Sequence, residues 1–117
     1  MDFWQTGAGW RLGYRSSRGL VGADTWAVEL SLLELQDFCR LSLDLGKTMT
    51  ALEAELVDQE KVECDLSSQL IYLRAEGYPH AWTLYLQLLL DRRAEGMWQE
   101  TAVPHLLTAI SQLQLYL

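Results

Sequence analysis

The strongest constraint in this chain is a change of hydrophobic period at Ser31. Before it, apolar and polar residues alternate. Trp10, Leu12 and Tyr14 stand against Arg11, Gly13 and Arg15, and Trp26, Val28 and Leu30 against Thr25, Ala27 and Glu29. A period of two belongs to a half-buried strand, whose successive side chains point to opposite faces. Ser16, Ser17 and Gly19 read as a turn, Leu20-Val21 as a short apolar piece, and Gly22-Ala23-Asp24 as a second turn. From Ser31 onward, Leu35, Phe38, Ser42, Leu45, Met49, Leu52 and Leu56 recur at steps of three and four. That spacing lines one face of a helix and predicts one from Ser31 to about Val57. Ser31-Leu32-Leu33-Glu34 opens it as a capping box, in which serine oxygen and glutamate carboxylate each accept from the other's backbone N–H. Gly46 weakens the middle of the helix and offers a place for a bend. A two-stranded coiled coil has the same spacing, but strands on both sides favour one helix packed on a sheet.

The alternation then returns. Val62, Cys64 and Leu66 share a face, as do Ile71, Leu73 and Ala75, with Ser67-Ser68 turning the chain between them. Gly77-Tyr78-Pro79-His80 is a loop, because proline restricts its neighbour and lacks a donor. Trp82, Leu84, Leu86, Leu88 and Leu90 form a long apolar face, and Asp91 to Gly96 make a polar turn into Met97-Trp98. Thr101 is the expected cap of a closing helix with Pro104 in its first turn, and Leu106, Leu107, Ile110, Leu113 and Leu117 are its expected buried face.

Both halves thus read as strands followed by a helix. A shift of 72 residues pairs Trp10 with Trp82, Leu12 with Leu84, Trp26 with Trp98, Leu35 with Leu107, Phe38 with Ile110 and Leu41 with Leu113. Leucine matches are cheap in so leucine-rich a chain; two tryptophan pairs at one separation are less so. The pattern predicts one domain, 1–117, made of two pseudo-repeat units of about 1–57 and 58–117. Two unrelated amphipathic halves are the alternative. The fold class expected is α+β: a duplicated strand-strand-strand-strand-helix unit with two helices packed on curved antiparallel sheets. Trp10, Trp26, Trp82 and Trp98 are expected in the core or between the units.

The chain has 117 residues, enough for one domain with a core that needs no metal or disulfide. Half of it is apolar, which excludes disorder. Its amino end has neither the basic start nor the apolar run of a secretory signal, and apolar runs such as Leu88-Leu89-Leu90 fall far short of the roughly 20 residues needed to span a bilayer. Cys39 and Cys64 lie far apart in sequence without a C-x-x-C, so both are expected to be reduced, as suits a cytoplasmic protein.

Chemistry finds little purchase here. Gly7-Ala8-Gly9 has the look of a phosphate loop, but no strand is read before it and a strand follows, so it reads as a turn. His80 and His105 have no Cys, Asp or Glu at metal-ligand spacing on the same element. Nothing places a base beside a serine or cysteine. Glu53, Glu55, Asp58 and Glu60 read as a solvated helix end. No catalytic residue, metal or cofactor is expected.

Binding is the remaining class. The net charge of −7 opposes general nucleic-acid binding, which rests on Lys and Arg neutralising phosphates. The charge is uneven, however: residues 29–65 carry ten acids and three bases, whereas Arg11, Arg15 and Arg18 make residues 1–18 net positive. Arg11, Arg15, Tyr72, Arg74 and Tyr85 lie opposite the apolar stripes, and Arg11, Tyr72, Arg74 and Tyr85 are placed to meet on one exposed sheet surface. Arginine with tyrosine suits base stacking and phosphate contact. Arg92 and Arg93 join the candidate binding surface as a phosphate clamp; the plainer reading pairs the strand side chains with Glu29, Glu63 and Glu76 and leaves Arg92-Arg93 in a solvated turn. The function expected first is a module that binds a protein partner or itself; weak or selective binding of single-stranded DNA or RNA is the alternative. No membrane partner is expected.

Several strings carry a family likeness. They are Gly9-Trp10-Arg11-Leu12-Gly13, Leu20-Val21-Gly22-Ala23-Asp24-Thr25-Trp26-Ala27-Val28-Glu29-Leu30, Asp37-Phe38-Cys39-Arg40-Leu41, Glu76-Gly77-Tyr78-Pro79-His80, Arg92-Arg93-Ala94-Glu95-Gly96-Met97-Trp98 and Ala102-Val103-Pro104-His105-Leu106-Leu107. Together they resemble a cyanobacterial family, the domain of unknown function 1818. That resemblance implies a fold similar to the Whirly and positive-cofactor-four type of single-stranded-DNA-binding transcriptional regulators, four strands and a helix used twice. It implies no catalytic residues. The lysine-rich Lys-Gly-Lys-Ala-Ala-Leu motif of Whirly proteins does not occur in this chain, and a shared fold does not carry function.

Overall fold

The computed structural model describes residues 2–55 and 60–117; the expectations for Leu56, Val57 and Asp58 lie outside them. Four strands, β1 (Phe3–Gly7), β2 (Trp10–Arg15), β3 (Arg18–Gly22) and β4 (Ala27–Ser31), lead into helix α1 (Leu32–Glu55). Four more, β5 (Val62–Ser67), β6 (Ile71–Tyr78), β7 (Ala81–Leu88) and β8 (Glu95–Trp98), lead into α2 (Val103–Leu113) and a closing 3-10 turn, Gln114–Tyr116. Each group of strands is an antiparallel meander in sequence order, β1-β2-β3-β4 and β5-β6-β7-β8. The protein is α+β, and its element order is compatible with a duplicated unit.

The capping box forms as the sequence predicts: Ser31 N–H donates to Glu34 Oε1 at 2.8 Å, and Glu34 N–H to Ser31 Oγ at 3.2 Å. Leu35, Phe38, Ser42, Leu45 and Met49 are buried along α1, with Cys39 and Leu41 beside them. Gly46 lies where α2 comes close, a Cβ there standing 3.1 Å from Leu107 Cδ1. The helices are not confined to their own sheets. α1 packs on β3 and β4 but also on β5 and β6, and α2 on β1 and β2 as well as β7. One continuous core results.

Two short strands escaped the periodicity. β1 runs up to Gly7, so Ala8-Gly9 is a hairpin turn between strands, with Gly9 at φ 83° and its N–H donating to Asp24 Oδ1. The inward row of β1 ends on Gly7 because the Trp10 indole occupies its side-chain space, with Nε1 2.3 Å from where a Cβ would stand. β3 takes in Gly19, read above as part of a turn; Leu35 of α1 fills the space over it. The turn proper is Ser16-Ser17, both at positive φ, the geometry of a two-residue hairpin loop.

Three further expectations need correction. Thr101 does not cap α2: the helix starts after Ala102 with no side-chain cap, and Pro104 in the first turn removes a donor that would otherwise lack a partner. β7 ends at Leu88, leaving Leu90 half exposed in the turn. Leu107 is only partly buried and Leu117 lies at the surface, while Leu106, Ile110 and Leu113 are buried.

The tryptophans divide by role. Trp98 is fully buried, 5.6 Å from Phe38 and 4.9 Å from Trp26 between ring centroids. Its Nε1 donates to Gly22 O of β3 at 2.7 Å, while Trp26 Nε1 donates to Met97 O of β8 at 3.2 Å. Each sheet therefore receives an indole hydrogen bond from the other. Trp26 stands just before its fourth strand and Trp98 at the end of its own, so the 72-residue shift does not bring them to the same place. Trp10 and Trp82 do not correspond: the first lies on the second strand of its sheet, the second on the third of its own.

We expect Trp98→Phe to cost about 1–3 kcal/mol, since it leaves the buried Gly22 carbonyl without its donor. Trp26→Phe, at a partly exposed site, should cost less, on the order of 0.5–1 kcal/mol. Urea unfolding followed by circular dichroism measures both; equal effects would show that burial does not set the cost of losing the bond.

Candidate functional site on the outer face of the first sheet

The helices cover one face of each sheet, so surface chemistry lies on the other. On the second sheet, Tyr72, Arg74 and Tyr85 do meet. Arg74 stands directly across from Tyr85, its guanidinium carbon 4.6 Å from the ring centroid, and the two tyrosine rings are 6.1 Å apart. Acids surround them. Tyr72 Oη donates to Asp65 Oδ2 at 3.1 Å and Tyr85 Oη to Glu95 Oε2 at 2.7 Å, and Arg74 Nε lies 3.9 Å from Glu76. The bond to Glu95, lost on deprotonation, raises the Tyr85 pKa above the ordinary phenol value. The two hydroxyls are thus taken up by acids, and the guanidinium lies over the Tyr85 ring although its Nε has no hydrogen-bond partner.

Arg11 does not join them, because it belongs to the first sheet. Its Nε donates to Ala23 O at 3.0 Å and its Nη2 to Trp26 O at 2.9 Å, tying down the corner between β3 and β4. Arg92 is structural as well. It donates to Glu29 O and to the buried Glu34 carboxylate, binding the β7–β8 turn to the capping box of α1. Arg93, exposed at φ 47°, closes that turn through its N–H to Leu90 O.

Arg15 leads to the site that sequence reasoning missed. The strand registers set Trp4, Gly13, Leu20 and Glu29 in one row across the outer face of the first sheet, and Arg15 opposite Arg18 in the next. The Trp4 ring lies on Gly13, where a Cβ would stand 2.4 Å from its Cε3. Its other side faces solvent, and the residue is 59% exposed. Beside it is a cleft of about 370 Å³ that also holds Leu20, Arg15, Arg18, Asp2 and Glu29. Arg15 Nε is 3.7 Å from Asp2 and Arg18 Nη1 is 3.6 Å from Glu29, all four side chains being largely exposed. The usable signal was a tryptophan on the polar phase of a strand; β1, interrupted by Gln5 and Gly7, did not show enough period to supply that phase.

Catalytic geometry is sparse. His80 stacks on Tyr78 in the β6–β7 hairpin, and His105 is exposed in the first turn of α2. Among the described residues no three His, Cys, Asp or Glu side chains group as metal ligands. Both cysteines are free; Cys39 is buried, and burial pushes its thiol up to about 12. Glu53, Glu55 and Glu60 are exposed. Among the described residues no helix is long and apolar enough to cross a membrane.

Fold and surface together define an α+β protein of two four-stranded antiparallel sheets and two helices, with an aromatic and charged cleft on one outer face. The chain belongs to the DUF1818 family, a domain of unknown function, which matches residues 5–113. Its architecture is similar to that of a protein with unknown function from the DUF155 family of Prochlorococcus sp. NATL2A, solved at 1.80 Å, with a TM-score of 0.89 and 25% identity. The match covers 96% of this chain and 98% of the other. No curated protein matches the chain.

The cysteine chemistry sets a testable pH dependence. The folded Cys39 pKa lies above the thiol's ordinary value of 9.0, so above that pH the unfolded chain releases a proton that the folded chain retains. Stability is therefore lost as pH rises from about 9 towards about 12. The wild type should lose stability faster over that window than Cys39→Ala, measured by urea unfolding at a series of pH values; parallel curves would contradict it.

Proposed function

We propose that the protein is a non-enzymatic, cytoplasmic module that binds a protein partner through the outer face of its first sheet. The carrying observation is Trp4, 59% exposed on its glycine bed beside a cleft rimmed by two arginines and two carboxylates. Trp10, Trp82 and Trp98 are buried, so the chain has the means to bury tryptophan and leaves this one out. An aromatic anchor with arginine and a charged rim has the composition of a protein interface, where a few such residues carry most of the binding energy. Two free cysteines suit a reducing compartment. The likeness to the Prochlorococcus protein favours a cyanobacterial source.

Single-stranded DNA or RNA binding, which a Whirly or positive-cofactor-four type of fold would suggest, is the second reading. It draws on the same Trp4, Arg15 and Arg18, since an exposed indole beside arginines is also a stacking platform. The net charge of −7 opposes it, as does the taking up of Tyr72, Arg74 and Tyr85 by acids and by one another.

Two measurements separate the readings. Fluorescence anisotropy with labelled oligothymidylate and oligouridylate is expected to show no binding even at low salt, where phosphate contacts are strongest. Affinity capture from native lysate with wild-type and Trp4→Ala baits is expected to recover a protein that the variant loses. Oligonucleotide binding that weakens steeply with salt would transfer the site to the second reading. Equal capture by both baits would remove Trp4 from the interface.

A further inference from the structure

Resting on that reading, we infer that the occupant of the Trp4 cleft is an acidic segment of a protein partner. It would place one carboxylate between Arg15 and Arg18 and one apolar or aromatic side chain on Trp4 and Leu20. The first ground is the arginine pair itself. Arg15 and Arg18 stand directly opposite each other at the ends of the Ser16-Ser17 turn. Like charges at such a position destabilise a hairpin, and each is held only by an exposed acid at 3.6–3.7 Å. The fold has no structural use for the pair comparable to that of Arg11 or Arg92, whose guanidiniums are bound to backbone carbonyls.

The order of charges across the strands selects among occupants. Asp2 pairs with Arg15 at one edge of the arginine row, and Glu29 pairs with Arg18 from the neighbouring row, beside Leu20, so the two cations stand between two acids. A second copy laid face to face about a twofold axis that runs along the strands between β2 and β3 sets Arg15 against Arg18 of its mate. Self-association in that arrangement is therefore disfavoured. A nucleic acid carries a phosphate on every residue, so a strand that placed one between the arginines would carry its neighbours towards Asp2 or Glu29. A peptide carries charge only where its side chains do. One carboxylate between two guanidiniums makes charge-assisted hydrogen bonds and relieves the opposition of the two cations.

The spacing follows from the sheet. Rows on one face of a strand are two residues, about 7 Å, apart. The arginine row adjoins the row of Trp4 and Leu20. An extended segment running along the strands would meet both with side chains at i and i+2, one acidic and one apolar.

Panning a phage-displayed random peptide library on the immobilised full-length protein tests this. Enriched peptides should carry Asp or Glu two residues from Leu, Phe, Tyr or Trp. A representative synthetic peptide should lose about tenfold or more in affinity when its acid becomes the amide. The same loss is expected on Trp4→Ala and on the double variant Arg15→Glu/Arg18→Glu, with thermal melts confirming that both fold. The double variant should select Lys or Arg peptides instead. Enrichment of Trp4-dependent peptides without an acid would overturn the acidic specificity and leave the binding module standing. Enrichment indifferent to Trp4 would overturn both, and so would none at all. Competition by oligothymidylate at low salt would overturn the peptide in favour of nucleic acid.

Discussion

The structure depends on an exchange between its two sheets. Trp98, at the end of the second sheet, donates to the backbone of β3; Trp26, just before β4, donates to the backbone of β8. Their rings touch each other, and Trp98 also meets Phe38 of α1. Arg92 adds an ionic tie beside them, reaching from the second sheet's last turn to the carboxylate that caps α1. Glu34 is buried and already committed to Ser31 N–H, so the cation offsets a charge that would otherwise be costly to bury. With each helix packed on both sheets, neither half holds a complete core of its own.

Glycine and tryptophan are coupled throughout. Trp4 faces Gly13, Trp10 faces Gly7 and Trp82 faces Gly77 across the strands, and the Trp26 ring occupies the side-chain space of Gly96. Glycine weakens a strand by its entropy and its lack of a packing surface, and an aromatic ring laid over it restores that surface. At Trp10 and Trp26 the device serves the core or its border. At Trp4 the same device points outward, which places a flat apolar surface in solvent with no structural benefit beyond covering Gly13. That asymmetry separates a packing tryptophan from one available to a partner.

Much of this was legible in sequence because the long elements carry strong periods. α1, β6 and β7 each bury one clean face, and the Ser31–Glu34 box marked the start of α1 to within a residue. The losses share one physical cause. β1 and β3 are short, and glycines stand on their inward rows where Trp10 and Leu35 fill the space from elsewhere, so the period that reveals a strand is missing from the strand itself. The same glycines obscured the register and with it the candidate site. Arg11, Tyr72, Arg74 and Tyr85 were rightly put on outward faces, but a pattern within one strand cannot say which sheet that strand joins. Nor could it show that Arg92 reaches back 58 residues to Glu34.

The two outer faces show why the location of charge matters more than its sum. On the second sheet, Tyr72 is bonded to Asp65, Tyr85 to Glu95, and Arg74 lies over Tyr85. An anion arriving there would have to displace an existing partner and approach resident carboxylates. On the first sheet the acids sit at the flanks and the arginines at the centre, so two charges of each sign leave a positive middle about one side chain wide. Screening removes long-range attraction within about 8 Å at physiological salt, and the protein as a whole repels anions. What survives is a contact-range preference, weak for a free ion and useful only when an adjoining apolar group on Trp4 and Leu20 excludes water. The acidity of the chain and the basicity of its first hairpin are thus compatible: the first suppresses non-specific polyanions, and the second selects a single negative charge beside an apolar one.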